Sequence, residues 1–145
     1  MQKIRPCLWF DGKAEEAARF YGTIFEDSKI ISSNPLVTFF TLQGQEFMGL
    51  NGGPKFPFTE AVSFMVSCDT QAELDDKWDK LIAGGGRPVE CGWLTDKYGL
   101  SWQIVPSALE RLLMGGGKEQ NDRVMAAVMK MQKLDIAALE AAARG

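Results

Sequence analysis

Two stretches of this chain share one pattern, and that repetition constrains the fold more than any other feature. WFDGKAEEAARFY (9–21) runs from strand-type apolar residues through an Asp-Gly turn into an amphipathic helix. AVSFMVSCD (61–69) is again a buried-type strand ending in Asp, and Thr70-x-x-Glu73 is a capping-box signal that opens a second helix. Placing Asp11 on Asp69, a shift of 58 residues, puts Ala14 on Ala72, Glu15 on Glu73, Phe20 on Trp78 and Ile24 on Ile82. Those matches fall where a strand-turn-helix repeat needs them.

The rest of the chain fits around the repeat. Ala14, Ala17, Ala18, Tyr21, Ile24 and Phe25 recur at helical spacing, with Glu15, Glu16 and Arg19 off that face. Three β-type runs follow at 30–33, 36–42 and 46–50, separated by turns at Asn34-Pro35 and Gln43-Gly44. LNGGPKFPF (50–58) is too rich in Gly and Pro for regular structure and reads as the connector between halves. In the second half Gly84 to Gly86 ends the helix, RPVECGWL (87–94) reads as a strand, and a D-x-x-G turn at Asp96 leads into LSWQIV (100–105). Beyond Pro106 the segments 107–114, 124–132 and 136–143 are helical, with Lys118 to Arg123 as a solvated linker and Met125, Met129 and Met131 as packing residues. The expectation is a single α+β domain of tandem βαβββ modules, one over 1–52 and the other over 60–106, with a helical C-terminal extension over 107–145. Each curled sheet would present a concave face that its own module cannot fill, so two faces would make a cleft; a plain α+β sheet with two covering helices is the alternative.

Composition removes much chemistry. The chain has no histidine, so Ser-His-Asp and Cys-His nucleophile systems and imidazole-held metals are excluded as such. A formal net charge of −3 without a Lys/Arg cluster gives no reason to expect nucleic acid or an anionic membrane as partner. Cys7, Cys68 and Cys91 are odd in number and lack C-x-x-C spacing, which fits reduced thiols. No apolar run suits a signal peptide or reaches the ~18 residues of a membrane span, so a soluble cytoplasmic protein is expected.

CLWFDGKAEEAARFY (7–21), LNGGPKFPF (50–58) and GWLTDKYGLSWQIVP (92–106) strongly resemble the PhnB-like proteins of the vicinal oxygen chelate superfamily, which also holds glyoxalase I, extradiol dioxygenases and bleomycin-resistance proteins. KMQKLDIAALEAA near the C-terminus is similar to the tail of that group. The resemblance implies the label 3-demethylubiquinone-9 3-methyltransferase, a homodimer, and a divalent ion held by inward-facing residues of the sheets. Gly84 to Gly86 and Gly115 to Gly117 each follow a helix, whereas a methyl-donor site wants a Gly-rich turn between a strand and a helix.

Matching the superfamily's ligand positions onto this chain puts them on Arg5, Ser63 and Gln103, with a fourth within 45–48, where Glu46 is the good ligand. Arginine cannot ligate, and one carboxylate beside it offers a divalent ion little, so neither a bound metal nor another cofactor is expected. Alternation along the strands turns Arg5, Cys7 and Trp9 toward the cleft in one module, and Ser63, Met65 and Ser67 in the other, with Val62, Phe64 and Val66 toward the helix. Together with Phe39, Asn51, Trp93 and Gln103 they form the candidate small-molecule site. Arg5 suits a ligand carboxylate or phosphate, or else stands in solvent at the strand start, paired with an acid. Gln103 is equally readable as a buried amide bonded to neighbouring strands, and Cys91 as a small buried residue rather than a reactive thiol. The tail, with Val124, Val128, Met131 and Leu139 exposed on one side, would strap across a partner subunit.

Three functions follow. The leading one is a metal-independent module that holds a small aromatic or amphipathic ligand without transforming it. A second is an isomerase, lyase or dioxygenase recruiting a weak metal through Glu46 and Gln103. The third is the methyl transfer named by the label.

Overall fold

Small residues set the depth at which the first helix meets its sheet. A Cβ on Gly49 would lie 3.0 Å from that of Ala14, so a glycine and an alanine let backbone approach backbone. The computed structural model describes residues 2–145, which divide into two compact units, Met1–Phe58 and Thr59–Gly145.

In the N-terminal unit β1 (Cys7–Phe10) leads into α1 (Ala14–Gly22), then β2 (Lys29–Ser33), β3 (Val37–Leu42) and β4 (Gln45–Asn51). The sheet order is β1-β4-β3-β2, with β1 parallel to β4 and the other pairs antiparallel. Ala14, Ala17, Ala18 and Tyr21 are buried against the face made by Leu8, Phe10, Phe40, Leu42 and Phe47, joined by Ile24 and Phe25 just past the helix end. Gln43 and Gly44, at φ 53° and 77°, make the two-residue hairpin between β3 and β4. No side chain of the turn itself caps α1. Asn51, at the end of β4, accepts from the Ala14 N–H at 2.8 Å and donates to the Pro35 carbonyl at 3.0 Å.

The second unit repeats this plan with β5 (Ser63–Cys68), α2 (Gln71–Ile82), β6 (Arg87–Pro88), β7 (Trp93–Thr95) and β8 (Ser101–Pro106), in the order β5-β8-β7-β6. The register repeats as well. Cys7 faces Met48 across a parallel pair and Met48 faces Phe39, while Met65 faces Gln103 and Gln103 faces Trp93. The duplicated α+β architecture read from the sequence is therefore present, with one helix between the first and second strands of each four-stranded sheet. Thr70 caps α2 as its motif predicts, accepting from Glu73 N–H at 3.1 Å, and Trp78 and Trp102 are buried in the helix-sheet core.

Several expectations needed correction. RPVECGWL is a hairpin rather than one strand: Cys91 and Gly92 take φ of 62° and 83°, and Val89 N–H bonds back to the Trp93 carbonyl at 2.8 Å. That break supplies the strand that completes the second sheet. Val62 lies outside β5 and is 62% exposed, so it does not pack on the helix.

The tail, α3 (Leu109–Met114), α4 (Lys118–Val128) and α5 (Ile136–Arg144), belongs to the second unit. Lys118 to Arg123 forms the first turns of α4, not a linker. Val124, Val128, Leu134 and Leu139 are buried within the protomer, so they are not the exposed stripe expected for a strap, and Met131 is half-buried. Met125 and Met129 are exposed rather than packed. Backbone N–H groups of Cys91 and Gly92 donate to the carbonyls of Met131 and Gln132 at 2.8 and 2.7 Å, which fastens the tail to the β6–β7 turn. No helix among the described residues is long and apolar enough to cross a membrane.

Candidate functional site

Each sheet buries one face under its helix and leaves a far face, and alternation decides which side chains stand there. On the N-terminal sheet Cys7, Met48 and Phe39 form one row across three strands, and Trp9, Leu50 and Val37 form the next. Cys7 is exposed and the others are half-buried, whereas their neighbours along each strand are buried. Trp9 donates its indole N–H to the Gly53 carbonyl at 2.8 Å and meets Phe56 edge-on at 4.9 Å. A Cβ on Gly52 would come within 2.2 Å of the Trp9 ring, so the Gly-rich connector folds tightly against this tryptophan.

Arg5 reaches the same face from just before β1, its guanidinium 5.1 Å from the Phe39 ring centroid. Glu46 accepts a hydrogen bond from the Gln2 backbone N–H, so its carboxylate is engaged by the chain's own N-terminal segment.

On the second sheet the row is Met65, Gln103 and Trp93, with Ser63 and Ser67 on either side of Met65 along β5. Met65 and Ser67 are exposed; Ser63, Trp93 and Gln103 are half-buried. Gln103 donates its amide N–H to the Ser63 hydroxyl at 2.8 Å. Of the residues chosen from sequence, Arg5, Cys7, Trp9 and Phe39 share the far face of one sheet, and Ser63, Met65, Ser67, Trp93 and Gln103 share the far face of the other. Asn51 does not join them, because it pairs with the buried Phe10 and spends both ends of its amide on Ala14 and Pro35.

Register also identifies residues that sequence reasoning passed over. Met48, not Glu46, is the counterpart of Gln103, since Met48 lies opposite Cys7 and Gln103 opposite Met65, residues related by the 58-residue shift, and each faces an aromatic on the third strand of its unit. Glu46 instead matches Ser101, each being the partner of a threonine, Thr41 and Thr95. Alternation along β4 would have flagged Met48 and Leu50, but only the strand pairing shows which of them stands where.

The positions that the superfamily resemblance assigns to metal ligands therefore hold Arg5, Met48, Ser63 and Gln103, a permanent cation, a thioether, a hydroxyl and an amide. None is an anionic ligand, and divalent ions of the Mg, Mn or Zn class need several anionic or imidazole donors together. This set does not fit such an ion. Among the described residues no group of three or more Cys, Asp or Glu side chains is placed to hold one.

Neither Cys7 nor Cys68 offers an activated nucleophile. Burial, with Glu73 alongside, pushes the Cys68 thiol up to about 12, and burial also raises that of Cys7. Cys91 is half-buried at the head of the β6–β7 turn. A cavity of about 570 Å³ at the head of α1 is lined by Glu15, Glu16, Asn34 and Asn51 among others. It lies on the helix side of Asn51 and includes none of the far-face side chains, so it is not the candidate site.

The family model described as 3-demethylubiquinone-9 3-methyltransferase matches residues 2–105. The chain belongs to this family. The PhnB protein from Bacillus cereus is 39% identical, the match covering 72% of this chain and 99% of that one at a TM-score of 0.64. Protein PA1353 from Pseudomonas aeruginosa is 21% identical over 73% of this chain and 97% of its own, with a TM-score of 0.57. FosX from Listeria monocytogenes, a fosfomycin resistance protein complexed with Mn(II) and sulfate, is 17% identical over 77% and 97%, also at 0.57. These last two show the fold alone. No curated protein matches the chain.

A methyl-donor site wants a Gly-rich turn between a strand and a helix, and in this PhnB-like chain Gly12 stands singly between β1 and α1. Gly84 to Gly86 follow α2, and Gly115 to Gly117 join α3 to α4. Gly52 and Gly53 follow β4 but lead into the connector rather than a helix.

Proposed function

We propose that this PhnB-like protein binds a small aromatic or amphipathic molecule on the far faces of its two sheets, without a divalent ion, and releases it unchanged. One observation carries the reading: the positions where the superfamily would hold its metal present a cation stacked on an aromatic ring and a hydroxyl-amide pair bonded to each other. Around Arg5 stand Cys7, Trp9, Phe39 and Met48, and beside Ser63 and Gln103 stand Met65 and Trp93, so each far face taken by itself is an apolar lining with few polar fixtures, the usual make-up of a small-molecule site.

The chain has no imidazole and burial raises the Cys7 thiol, so neither a neutral nitrogen base nor an activated thiol stands on the far faces near neutral pH. Sequestration is the function that such a surface supports. A homodimer is part of this reading, with Ile4, Val62 and Met65 as exposed apolar side chains available for a contact. Three cysteines free of disulfides suit a reducing cytoplasm.

Elemental analysis of protein purified without chelators tests the metal-independent part. Sub-stoichiometric Mn, Zn, Fe and Ni are expected, and a stoichiometric ion would overturn it. Calorimetry with S-adenosylmethionine is expected to give no binding heat; micromolar affinity would restore the methyl-transfer reading.

A further inference from the structure

We infer that Arg5 is a preorganised receptor for an oxyanion, so that the ligand is an apolar or aromatic molecule carrying a carboxylate or phosphoryl group. This rests on the far face of the N-terminal sheet being the binding surface.

The first support is what Arg5 lacks. It is half-buried, yet makes no ion pair or hydrogen bond with any described residue, and its one recorded contact is the face of Phe39. Ion pairs among the described residues tie up other charged side chains, and Arg5 takes part in none of them. The carboxylate on its own face, Glu46, is turned to the Gln2 N–H. A guanidinium presents five N–H donors in a fixed plane, and here none is spent on a described residue.

The second support is that Arg5 is held in place. Pro6, next in the chain, accepts the Met48 N–H through its carbonyl at 2.9 Å, which extends the β1–β4 pairing toward Arg5. On its other side Gln2 is stitched to Glu46 three times: backbone N–H to carboxylate, side-chain N–H to the Glu46 carbonyl at 3.3 Å, and side-chain oxygen from the Glu46 N–H at 3.1 Å. The segment bearing Arg5 is thus pinned to β4 at both ends, and Pro6 restricts its backbone further. A cation fixed over an aromatic ring loses little freedom when it pairs with an anion, so its donors are available for two parallel bonds to one oxyanion.

The third support is the surroundings. Cys7, Met48 and Phe39 form the row beside Arg5, with Trp9 and Leu50 one row further. A molecule whose anionic end meets Arg5 would lay its apolar body along these side chains.

The test uses the full chain and three probes of matched shape, 4-phenylbutyrate, 3-phenylpropylphosphonate and 4-phenylbutanol, followed through the Trp indole N–H signals by NMR. Wild-type protein should bind both anions at least tenfold more tightly than the alcohol, with the preference shrinking as salt is raised. Arg5→Gln should abolish that preference by weakening both anions far more than the alcohol, and Arg5→Lys should restore part of it. The carboxylate and phosphonate arms show which oxyanion is preferred. If the alcohol binds as tightly as the anions, or Arg5→Gln leaves the preference intact, the role given to Arg5 is wrong although the far face remains a binding surface. If none of the probes shifts Trp9 at millimolar concentration, the binding-surface reading itself fails, and the receptor role with it.

Discussion

Gln71, at the head of α2, holds the C-terminal tail through Leu134: its amide N–H donates to the Leu134 carbonyl at 3.1 Å, while its side-chain oxygen accepts the Ile136 N–H at 2.8 Å. The tail lies beyond the residues matched by the family model, yet the second unit is built around it. One side chain thus satisfies two backbone groups on the approach to α5. Replacing it with Leu removes both of these bonds and the one that Gln71 donates to Asp75 at 2.9 Å, and is expected to cost about 1–3 kcal/mol. Urea denaturation measures that loss, and hydrogen exchange at Cys91 and Gly92 should report the tail loosening before the unit unfolds. An unchanged urea midpoint would show that the tail is held by other means.

Lys133 adds a charged contact to the same joint, 3.0 Å from Asp75. The Gln71 amide and then Lys133 hold the Asp75 carboxyl below its ordinary value of 3.8. A depressed folded value means that the stabilisation is complete above the unfolded value and is lost as pH falls through the folded one. The pair is partly exposed, so the effect is small. The stability gap between wild type and Asp75→Asn should be constant near neutral pH and close below about pH 4. A gap that persists into strong acid would contradict this.

Asp96 is buried, and its carboxylate accepts from the backbone N–H groups of Tyr98 and Leu100 and from the Trp102 indole, at 2.8, 3.1 and 2.9 Å. Asp96→Ala strands three donors in the core between β7 and β8, and a loss of about 2–4 kcal/mol is expected by chemical denaturation. Loss of under 1 kcal/mol would mean that water replaces the carboxylate without difficulty.

Cys7 and Cys68 should separate cleanly in thiol labelling. Cys7 is exposed, whereas Cys68 is buried and its thiol lies near 12. At pH 8 the thiolate fraction of Cys68 is on the order of 10⁻⁴, so it should react only on unfolding. Mass spectrometry of partly labelled native protein reads the order directly; early modification of Cys68 would refute the placement of β5.

Much of this was legible in the sequence, for reasons that differ by residue. Tyr21 and Ala17 gave themselves away by helical spacing, Thr70 by its capping motif, and Cys7, Trp9, Met65 and Ser67 by simple alternation, because each of these signals is local. Asn51 was misread because its role is to cap α1 across the fold from the end of β4, and no local pattern records a partner in Ala14. The β6–β7 break depends on Cys91 taking a positive φ, a conformation that favours glycine and that nothing in VECGW demands one residue before Gly92. The tail was read as a strap because its anchor points, the backbone N–H groups of Cys91 and Gly92 and the Gln71 side chain, lie 40 or more residues away and leave no local pattern. Met48 needed the register, since composition alone favoured Glu46 as the chemically capable neighbour.

The four tryptophans divide the molecule in a way that makes the central claim directly measurable. Trp9 and Trp93 stand on the far faces, and Trp78 and Trp102 are buried in the second unit's helix-sheet core. Indole N–H signals, assigned by Trp→Phe variants, should be recorded for chelator-treated protein during a small-molecule screen. Binding should shift the Trp9 and Trp93 signals while those of Trp78 and Trp102 stay in place, and adding Mn(II) should change nothing. Shifts confined to Trp78 and Trp102, or binding that vanishes on chelation and returns with Mn(II), would contradict a metal-independent site on the far faces of the sheets.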